Sequence, residues 1–230
     1  MSMPDYNSKT FAAWRDAAKG PWEDYTQHTY VKGLGDGSLP RQNFVHYLIQ
    51  DYVFLVHFSR AWALAVVKSN TLDEMKTAAG TVDALVNHEM QLHVETCAKE
   101  GISEEQLFNA VEAPENMAYT RFVMDAGLSG DFLDLMAALA PCVFGYGVIG
   151  KQLSETAAKD TPYQGWINTY AGDDYQGLCV NVGAMIDTAT KARLGDNPLS
   201  NPRWENLCDT FTKATRLEVG FWEMAMRGHP

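Results

Sequence analysis

Apolar residues recur with a helical period along almost the whole chain. From Arg41 to Lys68 they continue with no Gly or Pro, and Tyr47, Phe54 and Phe58 fall at helical spacing. The stretch is far too long for a strand. Its apolar positions cover most of the circumference, which predicts a central, buried helix. Leu39-Pro40 marks its start. Thr71-Leu72-Asp73-Glu74 reads as a capping box opening a helix that runs to Gly101. Ser103-Glu104-Glu105-Gln106 is a second capping box before a short helix, and Pro114 to Leu128 forms another.

After Gly130 a helix is expected from Asp131 towards Ala158, disturbed at Pro141. Tyr163 to Arg193 reads as helical with a break at Gly172, and Gly33 to Gly37 as a loop between helices. Asn201-Pro202 reads as an N-cap followed by Pro at the first helical position. The last helix runs to about Arg227. Leu207, Phe211, Ala214, Phe221 and Ala225 form its apolar stripe, with Asp209, Lys213, Arg216, Glu223 and Arg227 opposite. No strand run, hairpin dipeptide, repeat or linker interrupts this pattern. The expectation is one all-α domain over residues 1–230, a bundle of about eight helices.

Composition narrows the function. The chain has 18 Lys+Arg against 29 Asp+Glu, a formal net charge of −11, which argues against nucleic acid and an anionic membrane surface as partners. The start, Met1-Ser2-Met3-Pro4-Asp5-Tyr6, has no basic segment followed by an apolar run. The longest uncharged stretch, Leu135 to Gly150, is sixteen residues, short for a bilayer. A cytoplasmic protein is expected. The cysteines Cys97, Cys142, Cys179 and Cys208 contain no CxxC, so neither a zinc knuckle nor a disulfide scaffold is expected.

Several residues could carry chemistry, each with an ordinary structural alternative. Gly145-Tyr146-Gly147-Val148-Ile149-Gly150 matches a dinucleotide fingerprint but follows a helical segment. It reads better as a helix thinned by glycines so that a neighbour or ligand can approach. His88 and His93, five apart, point roughly 140° away from each other on a regular helix and cannot chelate one ion. Their ordinary reading is polar or half-buried helix histidines. No metal site is expected, although a single histidine could still ligate a haem. Asp51 and Glu218 sit on apolar helix faces, where a buried carboxylate needs either a partner or a function. Cys142 follows Pro141, with Tyr146 one turn on, and by itself reads first as an inert core thiol, since a free Cys is usually a small buried hydrophobe. Aromatic residues on several helices are core material, some of them placed to stack a flat heteroaromatic ligand.

Five segments in order carry a further signal: Tyr47-Leu-Ile-Gln-Asp51-Tyr-Val-Phe54, His88-Glu89-Met-Gln-Leu-His93, Pro141-Cys142-Val-Phe-Gly-Tyr146, Trp166-Ile-Asn-Thr-Tyr170 and Glu218-Val-Gly-Phe221-Trp222. Together they resemble the TenA family, also called thiaminase II or aminopyrimidine aminohydrolase, from about residue 8 to 227. Cys142 places the chain with the cysteine-containing branch.

The resemblance implies a haem-oxygenase-like bundle, a homotetramer and no metal or organic cofactor. It implies hydrolysis of 4-amino-5-aminomethyl-2-methylpyrimidine to the hydroxymethyl pyrimidine and ammonia in thiamin salvage. Cleavage of thiamin to the same pyrimidine and the thiazole is implied as well. By the same resemblance Cys142 matches the nucleophile, Glu218 the acid/base and Asp51 a carboxylate that grips the aminopyrimidine. Phe54 stands where a ring packs on the substrate, and Tyr119, Tyr146 and Tyr170 match tyrosines lining the pocket. Gly145 and Gly147 depart from bulkier residues common there, which is expected to widen or reshape the pocket. The alternatives are a binding protein of the same fold for haem or another flat ligand, and a regulator of gene expression, which the acidic charge disfavours as a direct DNA binder.

Overall fold

A computed structural model describes residues 4–228, and residues 1–3 and 229–230, including the expected start of the chain, lie outside it. Its first helices are short: α1 (Lys9–Ala17), α2 (Lys19–Thr26) and α3 (Thr29–Asp36). Ser8 caps α1 by accepting from the Phe11 amide at 3.1 Å. Asp187 from a distant helix accepts from the Ser8 hydroxyl and from the amides of Lys9 and Thr10. The end of the molecule where the chain begins is thus pinned by a carboxylate at a helix N-terminus.

The long central helix α4 spans Arg41–Lys68, as its pattern predicts. The next stretch holds an unforeseen detail. Instead of one regular helix, α5 (Leu72–Ala84) passes into a π-helical turn, Leu85–Glu89, and then into α6 (Met90–Lys99). A π turn adds a residue to the winding and rotates everything after it, and such turns concentrate at functional sites. The short α7 (Glu104–Phe108) opens with the expected Ser103/Gln106 capping box, and α8 spans Pro114–Ser129.

Asp131 and Asp134 form a reciprocal cap on α9 (Phe132–Thr156), and Arg203 pairs with both at 2.8 and 2.9 Å. Pro141 lies inside this helix, which continues past it to Thr156. Neighbours hold α9 on every side: Phe132 to Gly150 is buried apart from Asp134. By length and composition it is the one described helix apolar enough to cross a membrane, and here it is the core of the bundle.

The break at Gly172 is present and separates α10 (Gln164–Ala171) from α11 (Asp173–Leu194). Arg193 of α11 forks onto Glu74 of α5 at 2.6 and 3.0 Å, tying those helices together. The final helix α12 starts at Trp204 and not at Pro202. Asn201 accepts from the Arg203 amide at 3.0 Å, so the Asn-Pro pair makes a local turn that ends before the helix.

Gly33 and Gly35 also depart from the expected loop. Both lie buried in α3, where Leu39 and Leu153 pack against them, and only Gly37, with φ 77°, leaves the helix. The glycines of α9 have the same use. A methyl group on Gly145 would collide with Tyr25, one on Gly147 would sit 2.6 Å from the Tyr6 hydroxyl, and one on Gly150 would meet Tyr170. Aromatic rings fill that space, so Gly145 and Gly147 do not widen a pocket. The helix total exceeds eight because of these short N-terminal helices and the two interruptions.

Candidate active site

Four of the long helices converge on Cys142. It sits mid-way along α9, 8% exposed, and interacts with the carboxyl of Glu218 from α12, which is 2% exposed. Tyr119 of α8 donates to Glu218 Oε1 at 2.9 Å, and the Tyr25 hydroxyl of α2 stands close by. Among the described residues no cation neighbours this carboxyl. Burial, with Asp51 adding to it, pushes Glu218 up to about 8 despite the Tyr119 hydrogen bond. Burial likewise pushes the Cys142 thiol well above its ordinary value, with Glu218, Glu89 and Asp51 adding repulsion. Both groups therefore rest in their protonated forms, each with a proton to exchange.

Asp51, on α4, lies in a different setting. His93 Nε2 is 2.6 Å from Asp51 Oδ2, and the Tyr47 hydroxyl donates to the same oxygen at 3.0 Å. His93 Nδ1 faces the Glu89 carbonyl at 3.0 Å. Both ring nitrogens thus meet acceptors, the geometry of a doubly protonated imidazolium. Burial alone would lower its pKa. The hydrogen bond and charge of Asp51, helped by Glu89, outweigh that and push His93 up to about 9. His93 is the cation that the buried Asp51 needs. His88 is exposed and points elsewhere, so the two histidines do diverge as the spacing predicts.

Tyr47 extends the array. It receives a hydrogen bond from the Trp166 indole at 3.2 Å and lies 3.4 Å from the Tyr146 hydroxyl. The Tyr170 hydroxyl donates to Glu89 Oε1 at 2.9 Å. Burial raises the Glu89 carboxyl above the ordinary range, with Asp51 adding to it and His93 and Tyr170 opposing.

A cavity of about 20 Å³ opens between these groups. Its polar lining includes Asp51, Glu89, Cys142, Tyr146, Tyr170 and Tyr175, and its apolar wall is Leu55 and Phe58 of α4, Leu85 of the π turn, Val143 of α9 and Leu178 of α11. That volume holds about one water, so a pyrimidine enters only if wall side chains shift. A surface groove of about 450 Å³ between α5 and α11 ends at Thr81 and Leu178, which also line the cavity. Those two side chains stand between the cavity and the outside.

Of the residues picked from sequence, Asp51, Cys142, Tyr146 and Tyr170 line the cavity. Glu218 lies outside the lining, against the Cys142 thiol. Tyr119 holds Glu218, and Phe54 packs on Tyr119 with ring centroids 5.1 Å apart. Sequence reasoning missed Glu89 and His93 as site residues. Both stood in view in a segment judged ordinary, and the signal was the unmet demand of Asp51 for a partner. All four cysteines are free, and among the described residues Cys142 is the one that lines the cavity. Among the described residues no cluster of three or more His, Cys, Asp or Glu is arranged to hold a metal ion.

The chain matches the family model described as the TENA/THI-4/PQQC family over residues 15–228. It is similar to a crystal structure of a TenA family transcription regulator from Silicibacter sp. TM1040, with 58% identity and a TM-score of 0.93, covering 95% of this chain and 97% of that one. It is 35% identical to the aminopyrimidine aminohydrolase of Halalkalibacterium halodurans, over 93% of this chain and 94% of the relative. The aminopyrimidine aminohydrolase of Bacillus subtilis is 31% identical, over 93% and 88% respectively.

Proposed function

The chain belongs to the TENA/THI-4/PQQC family, and from that premise we propose that it is a thiamin-salvage hydrolase using Cys142 as nucleophile. Its substrate is 4-amino-5-aminomethyl-2-methylpyrimidine, converted to the hydroxymethyl pyrimidine and ammonia. Thiamin, which carries the same ring, is a second substrate yielding the pyrimidine and the thiazole. The observation that carries this reading is the buried pairing of the Cys142 thiol with the Glu218 carboxyl at the edge of an acid-lined cavity.

Water does not readily displace an amine from the methylene of an aminopyrimidine, whose electron-poor ring does accept a nucleophile. A thiolate adding to the ring changes that. Glu218, in its ionised fraction, takes the thiol proton as sulfur bonds to a ring carbon. The ring's electrons then flow outward, the carbon–nitrogen bond at the methylene breaks, and the leaving nitrogen keeps the pair. Water adds to the exocyclic methide, and sulfur departs to restore the aromatic ring. One hard displacement becomes a sequence of easier steps. A carboxyl held near pH 8 exchanges protons with small driving force in either direction, which suits it to this work.

Asp51 has a separate role. Both of its recorded hydrogen bonds among the described residues fall on Oδ2, and it also lines the cavity. Oδ1 is thus available to accept from the aminopyrimidine edge, with the orientation fixed by His93 and Tyr47. Tyr146 and Tyr170 supply aromatic faces. His93 is already engaged at both nitrogens, which leaves it no free nitrogen for a haem iron.

The test is a pair of parallel assays on the purified chain, ammonia release from the aminomethyl pyrimidine and thiazole release from thiamin. Turnover of the aminomethyl pyrimidine above the uncatalysed rate is the expected result. Turnover of neither substrate contradicts the proposal.

A further inference from the structure

Glu89 is the one carboxyl in the cavity lining that has neither a cation on its own oxygens nor a place in the steps above. It sits at the end of the π turn, at the junction of α5 and α6. Tyr170 orients it by donating to Oε1 at 2.9 Å. Among the described residues no hydrogen bond is recorded to Oε2. Thr81 and Leu178 share that lining with it, and both also line the outer groove. Glu218, held by Tyr119, lies outside the lining and against the Cys142 thiol. A carboxyl in that position reaches the thiol, while a carboxyl in the lining reaches the bound molecule.

Resting on the hydrolase reading, we propose that the two acids divide the work. Glu218 manages the proton of the Cys142 thiol, and Glu89 is the catalytic acid at the leaving amine, the residue that adapts the site to substrates bearing a primary amine on the methylene.

The proton count fixes what Glu89 must do. The carbon–nitrogen bond breaks with its electron pair going to nitrogen, and ammonia can leave only if that nitrogen carries a third proton. The proton is shared between the Glu89 carboxyl and the amine before the bond breaks, and it leaves on nitrogen. The Glu89 carboxylate then takes a proton from the incoming water as its oxygen bonds to the methide carbon, which restores the acid. Nothing is oxidised or reduced, and no further reactant is needed. Burial and the absence of a direct cation partner suit Glu89 to hold a proton at neutral pH, and Tyr170 keeps it aimed.

A quaternary leaving group makes the proposal testable. The thiazolium of thiamin departs as a neutral thiazole without gaining a proton, and so does trimethylamine from a trimethylammoniomethyl pyrimidine. Glu89→Gln keeps the size and the Tyr170 contact but cannot donate a proton. Its kcat for ammonia release is expected to fall about 100-fold or more. Its single-turnover rate for release of the thiazole or of trimethylamine, a step that precedes water addition, is expected to change less than about fivefold, the order of a lost neutral contact. Tyr170→Phe leaves the acid in place but unaimed, and is expected to cost the amine reaction about tenfold with a smaller loss on the quaternary substrates.

Equal losses on amine and quaternary substrates in Glu89→Gln overturn the assignment, as does an unchanged rate of ammonia release. If Glu89→Gln does not fold, Tyr170→Phe is read in the same assays, and equal losses there overturn it too. A wild-type chain that turns over neither kind of substrate defeats the hydrolase reading itself. Wild-type turnover with no amine selectivity in the variants defeats only the role of Glu89.

Discussion

Asp51 and Glu218 are equally buried, at 3% and 2% exposure, yet the fold treats them oppositely. Asp51 has an imidazolium 2.6 Å away and a tyrosine hydroxyl on the same oxygen. Glu218 has tyrosines and a thiol but no cation, and its pKa is pushed up to about 8. Burial therefore does not decide the charge of a carboxyl; the company it keeps does. The Asp51 side is a fixed charge pair, built to hold an orientation. The Glu218 side is a proton store, built to change state.

This contrast predicts that substitutions on the two sides fail in different measurements. The largest effect belongs to Cys142→Ala, expected to lower ammonia release by about 10³-fold or more while thermal stability is kept. Next comes Glu218→Gln, expected to lower kcat by about 10²–10⁴-fold with a smaller change in KM. A pH profile sharpens it. The wild-type kcat/KM should rise with pH through an apparent pKa near 8 as Glu218 ionises, and that limb should be missing in Glu218→Gln.

The same substitution makes a prediction about stability with a definite sign. The folded-state pKa of Glu218 lies above its ordinary 4.5, so its stabilising contribution is complete below about pH 4.5 and is lost as pH rises towards 8. Across that window the wild type should lose stability relative to Glu218→Gln, by on the order of 1 kcal/mol per pH unit. Parallel urea titrations at pH 5 and pH 8 check this.

On the other side, His93→Ala strands Asp51 as an unpaired buried charge. It is expected to cost about 3–5 kcal/mol of folding stability, measured by urea unfolding. Glu218→Gln should cost far less there. The smallest effect is Tyr119→Phe, which removes one hydrogen bond from Glu218 and is expected to change kcat by about tenfold or less. If His93→Ala leaves stability intact, the difference between the two sides is not the presence of a cation.

Much of the scaffold was legible in the sequence. The bounds of α4, the capping box at Ser103, the start of α9 and the break at Gly172 all follow from local signals, because capping groups and helical periodicity act within a few residues. What was not legible depends on distant partners. Gly33 and Gly35 read as a loop, but Leu39 and Leu153 pack against them and keep them helical. Gly145 and Gly147 read as room for a neighbour or a ligand, and which of the two could not be told locally: Tyr25 and Tyr6 occupy it.

The site divides the same way. Asp51 and Glu218 stand out as acids on apolar faces, a conflict visible in one dimension. Its resolution is not visible there. Nothing local to His93 says that a π turn will bring it to Asp51, or that Glu89 will face into the cavity beside Cys142.

The most direct test of the account is a comparison of ammonia release from 4-amino-5-aminomethyl-2-methylpyrimidine by the wild type and by Cys142→Ser, at pH 8 and saturating substrate. Serine keeps the size of the group but is a far poorer nucleophile. The account predicts steady release by the wild type and a rate at or near background for Cys142→Ser, with unchanged unfolding midpoints. Release by Cys142→Ser at a rate near that of the wild type would contradict it.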